Sequence, residues 1–214
     1  MENDLLRKYV IQDSIVFQKN NEANGDLSNM ATKFPITVNG HTFRTNEALY
    51  QACRYPDFSA YQKEIMDQKS PMAAKYISRK YHSFTRKDWD LVKVNVMRWC
   101  LKLKLLYHPD TFGEVLLSTG DKAIVELSRS DQFWGAKPTD GIILQGRNVL
   151  GRLLMELREQ VKSNPSEQFS LVEPPDIENF LLLGEPICLV TVDAGLIVKP
   201  VQSEEDQETP SPNQ

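Results

Sequence analysis

Three ionisable residues stand where each could act on a bound ligand. Glu47 opens an apolar-patterned segment, with Gln51 one turn on and Arg54 a further turn along the same face. An acid at a helix start is favoured by the helix dipole, and it is equally the type of group an active site needs. Lys104 has Cys100 and Leu101 one turn before it, Tyr107 one turn after and Met97 farther back, so its ammonium lies among apolar neighbours. Such an amine either snorkels to solvent or sits in a pocket where desolvation lowers its pKa and makes it nucleophilic. Asp131 lies in the run Ser128 to Trp134, beside Phe133 and Trp134 and ahead of Gly135. An acid and two aromatic rings between glycine-marked turns either hold a ligand or pin the loop to the body.

Composition narrows the chemistry. The 214 residues suffice for one generous domain, with 41% hydrophobic and 25% charged residues. Cys53, Cys100 and Cys188 are far apart and lack Cys-x-x-Cys spacing, and His41, His82 and His108 are scattered. Neither a disulfide framework nor a metal site is expected, and no cofactor is called for. No apolar run approaches the roughly 18 residues that span a bilayer, and the first residues do not form a signal sequence, so a cytoplasmic protein without a membrane partner is expected. Glu204, Glu205, Asp206 and Glu208 account for the whole net charge of −4. The body is therefore neutral, which neither demands nor excludes a polyanionic partner.

The elements that must position these residues follow from periodicity and turn chemistry. Residues 1–13 form a lead-in, read as a short helix. Ser14 to Phe17 is a strand, residues 19–28 a polar loop, and Asn39-Gly40 closes a hairpin of Ile36–Val38 with Thr42–Arg44. Thr45 or Asn46 caps the helix of Glu47, which ends at Tyr55-Pro56-Asp57. Helices are expected over 60–68 and from Ser70-Pro71 to about Lys80. Arg79, Lys80, Arg86 and Lys87 then make either a phosphate-facing rim or a solvated surface. The longest helix runs from Asp88 to Tyr107, a short one from Phe112 to Leu117, and an amphipathic one from Asn148 to Lys162. Gly151 inside that last helix lets another backbone approach. Residues 163–200 form an extension with the stiff Pro174-Pro175 and a buried strand over 187–192, and 201–214 form a disordered acidic tail. The class is α+β: one mostly helical domain with a small sheet.

Several segments, taken in order, carry a resemblance. They are Asn24-Gly25-Asp26-Leu27-Ser28-Asn29, Thr45 to Ala52, Trp89, Lys104, Leu117 to Asp121, Val125-Glu126, Ser130 to Gly135, and Gly146-x-Asn148-x-Leu150-Gly151-x-x-Leu154-Met155-x-x-Arg158. Over about residues 14–162 the chain resembles the NADAR superfamily of YbiA-like N-glycosidases. The resemblance implies cleavage of an N-glycosidic bond between a phosphorylated or ADP-linked ribose and a base. It implies site positions at Glu47, Trp89, Lys104, Asp131 and Trp134. The semi-buried amine of Lys104 adds a sharper expectation: attack on the anomeric carbon of the opened ribose to give a Schiff base that water resolves, with Glu47 moving the protons. Asn29, Gly146 and Asn148 are expected at the phosphates or ribose, and Gln51, Arg54 and Gly135 among the substrate contacts.

Two departures refine that expectation. Riboflavin-type members usually have histidine after the helix glutamate and lysine near the helix end, where this chain has Ala48 and Arg54. Residues 171–192 extend beyond the usual short domain. Both features look like the subset that accompanies DNA ADP-ribosyltransferase toxins. The resemblance thus implies an ADP-ribosylglycohydrolase acting on guanine in DNA, an antitoxin. Alternatives are hydrolysis of phosphoribosyl-amino-pyrimidine intermediates of riboflavin synthesis, or a non-catalytic module that binds ADP-ribose or NAD.

Overall fold

A computed structural model describes residues 6–163 and 170–191. Residues 1–5 of the lead-in, 164–169, Val192 and the rest of the extension and the acidic tail lie outside the described residues. In chain order the elements are β1 (Arg7–Val10), β2 (Ser14–Phe17), β3 (Ile36–Val38), β4 (His41–Phe43), α1 (Asn46–Ala52), α2 (Ser59–Met66), α3 (Pro71–Lys80), α4 (Trp89–Tyr107), α5 (Glu114–Ser118), β5 (Ala123–Glu126), β6 (Lys137–Pro138), β7 (Ile143–Gly146), α6 (Val149–Ser163), β8 (Leu171–Val172), β9 (Leu181–Leu182), β10 (Glu185–Pro186) and β11 (Val190–Thr191).

The helices sit where their caps place them. Thr45 Oγ1 accepts from Ala48 N at 3.2 Å to start α1, and Ser70 Oγ accepts from Ala73 N at 3.1 Å ahead of Pro71 to start α3. Asp88 does not cap α4 with its side chain, because the Arg86 guanidinium holds that carboxylate at 2.6 and 2.9 Å. Asp88 is still the N-cap residue, and the helix begins at Trp89. It is the spine of the fold, burying Trp89 at its start and residues on every side from Val96 to Leu106, and packing against α1, α6 and β8.

The β-structure differs from the single small sheet expected. It is divided into a three-stranded sheet in the order β1-β7-β6 and four separate pairs. The described lead-in is mostly extended, with a single 3-10 turn over Ile11–Asp13: β1 pairs antiparallel with β7, Arg7 opposite Gly146, and only Tyr9 points into the core. A four-residue segment with one buried side chain gains little as an isolated helix, while the edge of β7 offers it a ladder of backbone partners. The β3–β4 hairpin turns at Asn39 and Gly40, both with positive φ. β2 and β5 run parallel, pairing Ser14 with Ala123 through to Phe17 with Glu126.

The register of β5 against α6 sets the site. A Cβ on Gly151 would lie 2.1 Å from the Ile124 carbonyl, so only glycine allows α6 to lie this close to β5. Short of a continuous strand over 187–192, only Val190–Thr191 pairs, with β8. Upstream, Ile187 N donates to Phe180 O in the register of the β9–β10 pair, and Cys188 N to Asn39 Oδ1, so neither amide extends the pairing with β8. Val172, Phe180, Leu182, Ile187 and Val190 are buried, and Phe180 meets Trp99 of α4 edge to face at 5.3 Å.

Candidate active site

Glu47 is the centre of a buried amide network. Its backbone N donates to Asn29 O at 3.0 Å, tying the first turn of α1 to the segment after Gly25–Leu27. Asn29 Nδ2 donates to one carboxylate oxygen at 2.8 Å and Gln51 Nε2 to the other at 2.9 Å. Asn46 Nδ2 fixes Asn29 from behind at 2.7 Å, so the amide presents its nitrogen to the acid. Gln51 Oε1 accepts from Ser78 Oγ at 2.6 Å and from Arg54 at 3.2 Å. Arg54 also reaches Thr85 Oγ1 at 3.3 Å and lies over the Trp89 ring at 5.3 Å. The Glu47 side chain is thus held in one orientation, 5% exposed, on the wall of a cavity of about 770 Å³.

Asp131 and Trp134 face the same cavity from the loop. Asp131 Oδ1 accepts from the backbone N of Phe133 and Trp134 at 2.8 and 2.9 Å, closing the turn that presents Trp134. Trp134, Tyr50 and Trp89 form a contiguous aromatic wall, with Tyr50 5.7 Å from Trp134 and 5.1 Å from Trp89. Burial, and next the charge of Glu47, push the Tyr50 phenol well above its ordinary pKa, so it remains a neutral hydroxyl. The two aromatic residues of the loop divide the roles left open by sequence. Trp134 lines the cavity, whereas Phe133 is clamped between Lys93 Nζ at 4.3 Å and the Arg147 guanidinium at 4.6 Å.

An acid that the resemblance includes in Val125-Glu126, but to which sequence assigns no role, completes the cluster. Glu126, the last residue of β5, lines the cavity. Its backbone N donates to Asn148 Oδ1 at 3.1 Å and its carbonyl accepts from Ala136 N at 2.8 Å. Its carboxyl has no hydrogen-bond or ion-pair partner among the described residues. Burial first, then the charges of Asp131 and Glu47, raise its pKa to about 7, with Lys75 opposing. The sequence signal was an acid ending an apolar strand, Ala123-Ile124-Val125-Glu126. Of the basic cluster expected from sequence, Arg79, Arg86 and Lys87 line the cavity, and Lys75, one turn before Arg79 on α3, joins them in a basic rim. Lys80, expected with them, turns instead to Glu64 at 3.6 Å.

Four expected site residues lie elsewhere. Lys104 is 1% exposed and does not line the cavity. Its Nζ donates to Asp26 O at 2.6 Å and Ser28 O at 3.1 Å and lies over the rings of Phe34 and Phe112 at 4.5 and 4.1 Å. It holds the loop carrying Asn29 from beneath, and desolvation lowers its pKa to about 7. Neither snorkelling nor a ribose-facing amine describes it. Asn148, fully buried with φ 47°, uses its side chain to bridge Ile124 O and Glu126 N rather than a phosphate. Gly135 and Gly146 are packing glycines. A Cβ on Gly146 would sit 2.2 Å from Gly135 O, and one on Gly135 would sit 2.6 Å from Glu126 O. These three position Glu126 from outside the cavity.

The comparisons with known proteins decide the family. The NADAR domain model matches residues 16–162. The chain belongs to the NADAR family. Among its NADAR relatives, N-glycosidase YbiA of Escherichia coli is 39% identical over 155 residues, covering 72% of this chain and 92% of that protein. A riboflavin biosynthesis protein of Vibrio vulnificus is 34% identical over 161 residues, 74% of this chain and 41% of that protein. The NMR structure of the E. coli protein YbiA superposes with a TM-score of 0.62 at 38% identity, over 74% of this chain and 91% of that one. The NADAR match therefore includes Glu47, Glu126, Asp131 and both cavity tryptophans, and it stops before the extension. Among the described residues no helix is long and apolar enough to cross a membrane.

Proposed function

We propose that this chain is an N-glycosidase that releases ADP-ribose from guanine in modified DNA, and so reverses the action of a DNA ADP-ribosyltransferase. The observation that carries the hydrolase reading is the pair of unlike carboxyls on one aromatic-walled cavity, Glu47 held by two amides and Glu126 left free with a pKa raised to about 7. Breaking a ribosyl C–N bond sends its electron pair to the base nitrogen and develops positive charge at the anomeric carbon. The Glu126 carboxyl gives its proton to the departing nitrogen, and the Glu47 carboxylate lies against the cationic ribose. A water then adds to that carbon and returns a proton to Glu126, which restores the starting state. The wall of Trp89, Tyr50 and Trp134 lies along the reacting unit and excludes bulk water.

The ADP-ribosyl assignment is supported by the rim. Arg54, Lys75, Arg79 and Lys87 offer more cationic length than one phosphate requires, with Arg54 held by Gln51, Thr85 and the Trp89 ring as a fixed positive charge. Incubation with a guanosine oligonucleotide carrying ADP-ribose on the base should release free ADP-ribose. Intact substrate after binding would leave a module that holds ADP-ribose without cleaving it. A second reading, hydrolysis of phosphoribosyl-amino-pyrimidine intermediates, is favoured by the relatives named as riboflavin biosynthesis proteins. Release of ribose 5-phosphate from those intermediates, with no turnover of the oligonucleotide, would select it.

A further inference from the structure

The cavity has a neighbour across the segment 83–87. There Phe58, Phe84, Lys87, Asp57 and Asn179 surround a second hollow of about 560 Å³, within the size range of small-ligand pockets. The two hollows share Ser83, Thr85, Arg86 and Lys87. Arg86 is the partition between them. Its backbone N donates to Arg54 O at 2.9 Å, and its guanidinium donates to Asp88 and to the carbonyls of Glu178 at 2.7 Å and Asn179 at 3.4 Å. Asn179 in turn donates to Asp57 at 2.7 Å. The 178–179 turn, outside the family match at 16–162, is thereby pinned as the outer wall.

The lining suits a flat aromatic ligand. Phe58 stacks on Tyr61 at 5.0 Å and 14°, and meets the edge of Phe84 at 5.3 Å. Phe84 is nevertheless 45% exposed, and an aromatic ring left open beside a lysine and two side-chain polar groups is a common base-stacking arrangement. Polar contacts also lead here from the reaction centre, from Glu47 to Gln51, Arg54 and Thr85. The residues that the two hollows share, Lys87 among them, put the second next to the first along this surface. We propose that this hollow is the adenosine subsite, holding the adenine of an ADP-ribosyl substrate against Phe84 and Phe58. The assignment rests on the ADP-ribosyl reading above.

Calorimetric titration with ADP-ribose and with ribose 5-phosphate tests it on the full chain and on Phe84→Ala and Phe84→Leu. Loss of a base stack weakens binding by roughly tenfold or more. Both variants should lose about that factor for ADP-ribose and keep the wild-type affinity for ribose 5-phosphate. Phe84→Leu retains apolar bulk without a π-face, so a shared loss is not a folding defect. Unchanged ADP-ribose affinity in both variants, or equal weakening of both ligands, overturns the subsite and leaves the glycosidase reading intact. A wild-type chain that binds ribose 5-phosphate and not ADP-ribose removes the ADP-ribosyl reading itself. Variants that keep ADP-ribose affinity but lose affinity for an unmodified guanosine oligonucleotide give the hollow to a neighbouring nucleotide, which also overturns the assignment.

Discussion

Replacing Glu126 with glutamine removes a proton donor and a source of pH-dependent strain, leaving the shape of the side chain unchanged. In the folded protein its carboxyl keeps a proton to about 7, against an ordinary 4.5, because burial and the charges of Asp131 and Glu47 outweigh Lys75. Between those two values the folded chain binds more protons than the unfolded one, so wild-type stability falls as pH rises through that window and levels off above it. At about 1.4 kcal/mol per pH unit the full effect is about 3 kcal/mol, and access of water to the cavity reduces it to roughly 1–3 kcal/mol. Glu126→Gln should therefore match wild type in thermal stability near pH 4.5 and exceed it at pH 8. The gain should be several degrees, at roughly 2–4 °C per kcal/mol for a chain of this size. Turnover should behave oppositely. Wild-type kcat should fall tenfold per unit above pH 7 as the donor deprotonates, and the variant should be slower by about 10² to 10⁴-fold with no break near pH 7. Thermal melts and pH–rate profiles on the same two proteins suffice. A variant that keeps the wild-type pH break, or a stability gap that does not widen from pH 4.5 to 8, would refute the assignment of this carboxyl as the donor.

Glu47→Gln should retain the fold and lose about 10² to 10⁴-fold in kcat, because the reacting carbon loses its counter-charge and one of the two amides, Asn29 or Gln51, meets an NH₂ in place of its acceptor; melting temperature and turnover measured together check this. Lys104→Met should yield no borohydride-trapped substrate adduct, nor should wild type, as the amine is bonded beneath the loop and away from the cavity. Because the folded-state pKa of Lys104 is lowered to about 7, wild-type stability should rise between pH 7 and 10.5 while that of Lys104→Met should not, and melts across that range report it. Gly151→Ala should lower the melting temperature even though alanine favours a helix by about 1 kcal/mol, because the added methyl meets the Ile124 carbonyl at 2.1 Å and drives α6 off β5.

How much of this site was legible in sequence depends on how far each signal reaches along the chain. Local signals hold: Thr45 capping α1, Asn39-Gly40 turning the hairpin and the periodicity of α4 and α6 are all found where sequence places them. Signals that depend on what packs opposite do not. The apolar neighbours of Lys104 correctly marked its burial, but sequence has no term for Asp26 O and Ser28 O, which lie over 70 positions away and turn the amine from nucleophile to strut. Asn148 misled for a related reason. Its place before a helix suggests an anion site, yet its left-handed φ turns the side chain across to β5, where it holds Glu126 N and Ile124 O. Glu126 was hidden because an acid at the end of a short strand is ordinarily a solvated strand end. Only the arrival of Asp131 from the loop, Glu47 from α1 and Lys75 from α3 makes it unusual. The residues linking sequence to chemistry here are thus two helpers outside the cavity, Lys104 behind Asn29 and Asn148 behind Glu126. Each fixes one of the two acids through backbone it does not share, so damage to either should reach turnover through the orientation of Glu47 or Glu126.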